Sequence, residues 1–302
     1  MKLGWAFLPA ALFLLAAAPG AAPTVLAAQA WTAQSAQLAH DLTNAPGECV
    51  NAHTPQIEAG RALFRSPTLI GGPASRLGMS CNACHVNGRG NARFMLPEMT
   101  DRMGAADVTS EWASHVRGDG VMNPVDIPDL TDLGARTAYG HAHDPSLEHF
   151  AHSVIVEEFQ GEEPPPEAFA SLVAYLRALR ADACGGDVAI SLASSADDVR
   201  GALSASESVD AATASLLLLS AQEAIGRLAE RLPAPTFARD RARFEALSRD
   251  LGALRRTDDV RAAWTHAAPS WSARFERAVE RVAPREARTY FDEATLNAAL
   301  TR

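Results

Sequence analysis

The chain of 302 residues is long enough for about two domains, since one domain usually takes roughly 100–200 residues. Hydrophobic residues make up 47% of it, so each domain can bury a core of its own. The formal net charge is −9, and Lys2 is the only lysine. This charge argues against a basic surface for nucleic acid. An acidic surface either attracts a basic protein partner or simply confers solubility.

Residues 1–30 are predicted to form a cleaved signal peptide. Lys2 supplies its positive region, residues 5–18 its apolar region, and residues 28–30 (Ala-Gln-Ala) the small side chains of a cleavage site. Cleavage there leaves Trp31 first in the mature chain, and an uncleaved anchor is the alternative. No later segment is apolar over the roughly 20 residues that a membrane span needs. We therefore expect a periplasmic or otherwise exported protein with no membrane span in its mature chain.

Residues 31–186 are predicted to form a first domain around a short cysteine motif. Thr54 and Pro55 begin its first convincing helix, because threonine caps a helix and proline fits the first turn. A loop over residues 66–80 then leads to Cys81-Asn82-Ala83-Cys84-His85, and residues 87–91 (Asn-Gly-Arg-Gly-Asn) are again predicted to be loop.

Cys-x-x-Cys-His is the pattern by which c-type haem is attached. Two thiols at this spacing can add to the two vinyl groups of one porphyrin, and the next residue can donate an imidazole nitrogen to iron. A zinc site would want a second Cys or His pair, and a redox dithiol is expected near a βαβ pattern. The sequence has no second Cys-x-x-Cys, and the motif is flanked by predicted loop on both sides. We therefore predict one covalently attached haem c, held by Cys81 and Cys84, with His85 as an iron ligand.

Three further helices are predicted in this domain. The first spans residues 109–116 and carries Trp112, the second follows Asp144-Pro145, and the third follows the prolines at 164–166 and ends near Cys184. The segment 118–140 contains Asp-Gly, Asn-Pro and Ile-Pro and is predicted to be irregular. Such a segment suits a loop folded over a cofactor.

Cys49 and Cys184 lie at the two edges of the predicted domain. In an exported chain, two such cysteines are typical of a disulfide, and two unpaired buried thiols are the alternative. We predict the disulfide, which closes a loop of more than about 100 residues.

Residues 190–302 have a different texture, rich in Ala, Arg, Leu and Glu at helical spacing. They predict a helical bundle with short connections, with helices over 208–232, 237–255, 257–267, 271–282 and 290–300. This part contains no cysteine, so it can hold no second covalent haem. Its plainest interpretation is structural.

The sixth position on iron decides the chemistry, because a Met ligand gives an electron carrier and an open site admits peroxide. Met122 is the preferred candidate, since it lies in an irregular loop well separated from His85. His152 is the alternative distal ligand and shares one helix side with His149, three residues before it. The remaining possibility is an open or water-filled site.

The order of helix, loop, motif, long loop and closing helix resembles the cytochrome c domain. In that fold the first and last helices cross near a glycine and an aromatic residue, which Gly60, Phe64 and Tyr175 would supply here. The closer resemblance is to the C-terminal haem domain of bacterial di-haem cytochrome c peroxidases. It is carried by residues 60–64 (Gly-Arg-Ala-Leu-Phe), 79–81 (Met-Ser-Cys), 127–130 (Ile-Pro-Asp-Leu), 137–139 (Thr-Ala-Tyr), 143–144 (His-Asp) and 146–148 (Ser-Leu-Glu).

The resemblance covers residues 56–182 and departs from the family at three points. The chain has only one haem motif, Thr131-Asp132 stands where the family has Arg-Asn, and no Met occurs at 154–156, where the family's distal Met falls. The resemblance implies a cytochrome c-like haem domain and does not account for residues 186–302. With the helical bundle that the sequence pattern predicts there, we expect an all-α chain.

Two functions follow from these expectations. The first is an exported mono-haem c-type cytochrome that transfers single electrons to or from a redox partner protein. The alternative is a peroxidase-like haem enzyme that reduces hydrogen peroxide at an open haem site. The missing second haem argues against the enzyme, because peroxide reduction consumes two electrons, whereas the missing distal Met argues for it.

Overall fold

The computed structural model describes residues 25–140 and 143–301, and its mostly helical content confirms the predicted all-α class. The predicted apolar region of the signal peptide lies outside the described residues. The helices are α1 (Leu38–Thr43), α2 (Pro55–Phe64), α3 (Pro67–Ile70), α4 (Gly72–Arg76), α5 (Cys81–Cys84), α6 (Leu147–Ser153), α7 (Pro166–Ala178), α8 (Leu192–Ala205), α9 (Ala211–Glu230), α10 (Ala238–Leu254), α11 (Val260–Val282) and α12 (Glu293–Leu300).

Short antiparallel strand pairs lie in the segments between these helices. They are β1 (Asn44–Pro46) with β6 (Asp187–Ala189), β2 (His85–Val86) with β3 (Arg89–Gly90), and β4 (Ala105–Ala106) with β5 (Val125–Asp126). The β2–β3 pair is a hairpin where the sequence predicted loop. Asn87 and Gly88 both adopt positive φ angles in its turn, the arrangement for which Asn-Gly is favoured.

In the motif-containing region, residues 31–186, helices α2 and α7 cross in close contact. The Thr54 side chain accepts a hydrogen bond from the Ile57 amide and begins α2 as predicted. A Cβ atom at Gly60 would lie 2.0 Å from the Ser171 carbonyl oxygen, so only glycine permits this approach. The rings of Phe64 and Tyr175 pack beside it with their centroids 5.2 Å apart. The predicted contact among Gly60, Phe64 and Tyr175 is therefore present.

The predicted disulfide between Cys49 and Cys184 is confirmed, with an S–S distance of 2.01 Å. It lies next to the β1–β6 pair, and the Arg180 amide donates to the Cys49 carbonyl at 2.8 Å. The bridge and the strand pair together fasten the beginning of the motif-containing region to its end.

Beside the α2–α7 crossing, Glu48 is held by three hydrogen-bond donors. The Tyr175 hydroxyl donates to its Oε1 at 2.9 Å, Arg61 Nε lies 2.8 Å from its Oε2, and Arg65 Nη2 lies 3.2 Å from its Oε1. Burial raises the pKa of Glu48, but the charges of Arg65 and Arg61 outweigh burial and hold the pKa at about 2. The carboxylate therefore stays ionised through the whole ordinary pH range.

We expect Glu48 to make the fold acid-sensitive. Because its folded pKa of about 2 lies below the ordinary 4.5, its stabilising contribution is complete above pH 4.5 and disappears as the pH falls towards 2. The size of this contribution is about 3 kcal/mol of unfolding free energy. Urea unfolding of wild type and Glu48→Gln across this pH range measures it, with Glu280→Gln on the exposed face of α11 as the control. A wild-type slope equal to that of Glu48→Gln would contradict the assignment.

Helices α8 to α11 form the predicted bundle, and its core contains Phe244, Trp264, Trp271 and Phe275. The sequence predicted two helices, over 257–267 and 271–282, where the structure has the single helix α11 with Pro269 inside it. The rings of Trp264 and Trp271 lie 5.9 Å apart on either side of the proline, and both are buried. The contact between these two rings stabilises α11 across Pro269, a residue type that usually interrupts a helix.

Helix α9 joins the two predicted domains. Its residues Ala214 and Leu217 belong to the core around α2 and α7, whereas Leu218 and Ala221 belong to the bundle core. The predicted boundary at 186–190 therefore does not divide the hydrophobic cores in the same way as the chain. Helix α9 lies after this boundary, but it contributes side chains to both cores.

The described N-terminal segment packs on the C-terminal part of the chain. Leu26 is buried against Leu38, Leu42 and Leu296, and the Ala27 amide donates to Glu230 at 3.1 Å. The predicted cleavage site at residues 28–30 consequently lies within a packed turn of helix that spans Ala27–Trp31.

The predicted helix over 109–116 is absent, and turns occupy its place. Oδ1 of Asp107 accepts from the amide and from the hydroxyl of Thr109, at 2.9 Å and 2.7 Å. Its Oδ2 accepts from the Asn123 amide at 3.2 Å. The Asp107 side chain thus binds a backbone amide that would otherwise belong to the first helical turn. This competition explains why the helix prediction was wrong. In the predicted loop over 66–80, the structure instead forms the short helices α3 and α4.

Candidate functional site

The two motif cysteines lie at the ends of the single-turn helix α5. The Ala83 amide donates to the Ser80 carbonyl at 2.8 Å, which begins the turn. The Asn91 side chain donates to the Ala83 carbonyl at 2.8 Å, and the Asn91 amide donates to the Cys84 carbonyl at 2.8 Å. These bonds fix both cysteines on one short, rigid turn.

Both motif cysteines carry free thiols, and their surroundings are apolar. Cys84 is buried and Cys81 partly buried, beside side chains that include Met79, Phe94 and Met99. Burial raises the pKa of both thiols to about 12. A redox dithiol needs a thiol whose pKa is lowered, so this environment is unlike such a site. Among the described residues, no group of three or more His, Cys, Asp or Glu side chains could hold a metal ion.

His85 is held in one tautomer by a backbone carbonyl. Its Nδ1 lies 3.0 Å from the carbonyl oxygen of Pro128. Because a carbonyl can only accept, Nδ1 carries the proton and Nε2 keeps a free lone pair. Burial lowers the pKa of His85 to about 4, although the Pro128 carbonyl and Asp129 act in the opposite direction. The neutral imidazole with one oriented nitrogen is the form in which histidine binds a metal.

The β2–β3 hairpin brings the Pro128 carbonyl to His85. The Leu130 amide donates to the Gly88 carbonyl at 2.8 Å, and the Gly90 amide donates to Asp129 Oδ1 at 2.8 Å. A Cβ atom at Gly90 would lie 2.1 Å from the Ile127 carbonyl oxygen, so this docking requires glycine. The role of Pro128 was not predicted from the sequence, although the Asn-Gly pair is a local signal for the hairpin that positions it.

Met122, the preferred distal ligand, lies in the irregular segment before Pro128 and is 48% exposed. Other large apolar side chains near it are also exposed, among them Val116, Val121 and Val125. Met122 lies six positions before Pro128 in the chain. A fully extended chain of that length spans about 20 Å. The thioether can therefore lie well away from the Nε2 atom of His85.

The histidine candidates are engaged with other groups. Nε2 of His152 lies 2.7 Å from Oε2 of Glu163, and its ring makes an edge contact with Phe169. His149 is hydrogen-bonded through Nδ1 to Asp144 and is exposed. To bind iron through Nε2, His152 would first have to leave Glu163.

Residues 154–156, where the sequence resemblance would place a distal Met, are aliphatic (Val-Ile-Val). Helix α6 continues into a wider helical turn over Val154–Glu158. Val154 packs against the same apolar cluster as Cys84, and its side chain has no atom that can bind iron. Wider turns of this kind occur frequently at functional sites.

A cavity of about 650 Å³ lies on another side of α5. Its wall includes Asn82 and Ala83, the two residues between the motif cysteines, but not Cys81, Cys84 or His85. The cavity wall therefore contains none of the three groups that would hold a haem.

In the described part of the chain, no helix has both the length and the apolar character that crossing a membrane requires. The motif thiols and the oriented imidazole define the candidate site. Comparisons with protein-family models, with curated proteins and with solved structures found no match to this chain.

Proposed function

We propose that the chain is an exported mono-haem c-type cytochrome that transfers single electrons to or from a redox partner protein. The observation that carries this proposal is the hydrogen bond between His85 Nδ1 and the Pro128 carbonyl. It orients a neutral imidazole on the residue that directly follows two free thiols one helical turn apart. Those three groups match the needs of a covalently attached haem with one axial imidazole.

Each motif residue has a distinct role in this proposal. Cys81 and Cys84 would hold the porphyrin by thioether bonds, and the α5 turn fixes the spacing of the two thiols. His85 would bind iron through Nε2, while its hydrogen bond to the Pro128 carbonyl orients the ring. A bound haem c supplies a one-electron iron couple. The apolar side chains around Cys84 exclude water from one side of the site.

The region around the site supports the proposal as well. The α2–α7 crossing at Gly60 is the contact that the cytochrome c resemblance implies, and the Cys49–Cys184 disulfide is compatible with an exported protein. The net charge of −9 favours a partner with a basic docking surface.

We assign the sixth iron position to Met122. Met122→Ala should then open that position, shift the visible spectrum from low-spin to high-spin, and lower the reduction potential, because a thioether favours ferrous iron. Met103→Ala is the matched control, since Met103 is also exposed and lies in the same region. The measurements are the visible spectrum, a redox titration and hydrogen peroxide turnover of each protein.

The peroxidase-like alternative is favoured by one observation, the aliphatic Val154 where the related family has its distal Met. It makes opposite predictions for the same proteins. Under this alternative the wild type is already high-spin and reduces peroxide, and Met122→Ala changes neither property. That pattern would replace electron transfer by the enzyme as the proposed function.

A further inference from the structure

The 650 Å³ cavity beside α5 lies where the motif-containing region meets the bundle. Helix α2 and the residue after it contribute Arg61 and Arg65, α8 contributes Ser195 and Asp198, and α9 contributes Arg227. Binding sites for small organic molecules commonly have volumes of about 300–1,000 Å³. The cavity is thus large enough for such a molecule, and its wall is rich in charged side chains.

Arg65 has an unused donor in this wall. Its side chain is only 9% exposed, and Nη2 donates to Asn87 Oδ1 at 2.6 Å. Nη1 is buried and has no hydrogen-bond acceptor among the described residues. Oδ1 of Asp198 lies 4.0 Å from Nη1, beyond hydrogen-bond distance. A buried guanidinium N–H without an acceptor is costly, so a bound acceptor at this point would stabilise the protein.

The Arg227 guanidinium has no direct hydrogen bond or ion pair among the described residues, although the charges of Asp198, Glu223 and Glu230 act on it. Burial lowers the pKa of Arg227. The neighbouring acids are already used, since Asp198 lies 2.9 Å from Arg61 Nη2 and Glu230 accepts from the Ala27 amide. The spare groups on this part of the wall are therefore arginine donors.

The cavity also contains an unused acceptor. Oδ2 of Asp41 is buried and has no partner among the described residues, while its Oδ1 lies 3.5 Å from Arg93 Nε. A ligand with a hydroxyl group could donate to it. The unused groups together fit a molecule that carries acidic oxygens and a hydroxyl.

We propose that this cavity binds a small organic acid, whose carboxylate accepts hydrogen bonds from Arg65 and Arg227. A guanidinium suits a carboxylate because its N–H groups form strong charge-assisted hydrogen bonds, and Arg65 would donate through its spare Nη1. The proposal does not depend on haem, since the cavity wall contains neither motif thiol.

Titration calorimetry of the full exported protein with citrate, which has three carboxylates and a hydroxyl, tests this proposal. We expect saturable binding of citrate and a matching rise in melting temperature, neither of which sodium chloride of equal ionic strength reproduces. Arg227→Gln should weaken citrate binding roughly tenfold or more, the usual effect of losing a hydrogen bond to a charged group. Arg281→Gln, on the exposed face of α11 and outside the cavity, should bind citrate as the wild type does.

A second variant covers the case in which Arg227→Gln does not fold. Ser195→Glu adds a carboxylate to the cavity wall in the first turn of α8, where a negative charge is compatible with the helix. It should repel citrate and weaken binding to a similar degree. The proposal is overturned if citrate gives only the sodium chloride response, or if Ser195→Glu and Arg281→Gln bind citrate equally well.

Discussion

Replacing Cys81 and Cys84 together by alanine should abolish covalent haem attachment, and each single replacement should leave at most one thioether bond. The reason is that the two thiols lie at the ends of one rigid turn, at the spacing of the two porphyrin vinyl groups. The chain has no other free thiol to replace them, because Cys49 and Cys184 are bonded to each other. The measurement is haem staining of a denaturing gel after expression with a cytochrome c maturation system.

The control for this experiment is the double variant Cys49→Ala/Cys184→Ala. It removes as many sulfur atoms but leaves the motif intact, so it should remain haem-positive on the same gel. A haem-positive band from Cys81→Ala/Cys84→Ala would contradict the assignment of the motif.

The same control variant should lose about 5 kcal/mol of unfolding free energy. The disulfide closes a loop with a sequence separation of 135, and a loop of this length strongly restricts the unfolded chain in the chain-entropy model. Its position beside β1 and β6 also holds the two ends of the motif-containing region together. Urea unfolding of oxidised wild type and of the double variant measures the difference.

Reduced wild type provides the matching comparison, because it loses the bridge and keeps every side chain. It should unfold at nearly the same urea concentration as the double variant. A loss below about 1 kcal/mol in both samples would show that the disulfide adds little, as happens when the unfolded state keeps structure.

Some features that depend on short stretches of sequence were predicted correctly. Thr54-Pro55 determines where α2 begins, and the positions of Cys49 and Cys184 at the edges of the predicted domain indicated their bridge. The helix period predicted α7 and most of the bundle, because one apolar side at that spacing is buried in the same way in many folds.

Features that depend on contacts between distant segments could not be predicted in the same way. The partner of His85 is a backbone carbonyl, which has no sequence signature, and it reaches His85 only through the docking of residues 127–130 on the hairpin. The two cavity arginines also come from distant segments, because Arg65 directly follows α2 and Arg227 lies in α9. Asp107 replaced a predicted helix by turns, because its side chain competes for the backbone amides.

The most direct test of the central proposal is acid–acetone extraction of the purified, exported wild-type protein, followed by its intact mass and its visible spectrum. We expect one haem per chain, and this haem should stay on the unfolded polypeptide after extraction. The native protein, when reduced, should show the spectrum of a low-spin haem c. A protein that carries no haem, or that releases all of it into the solvent, would contradict the assignment of Cys81, Cys84 and His85 as a haem c site.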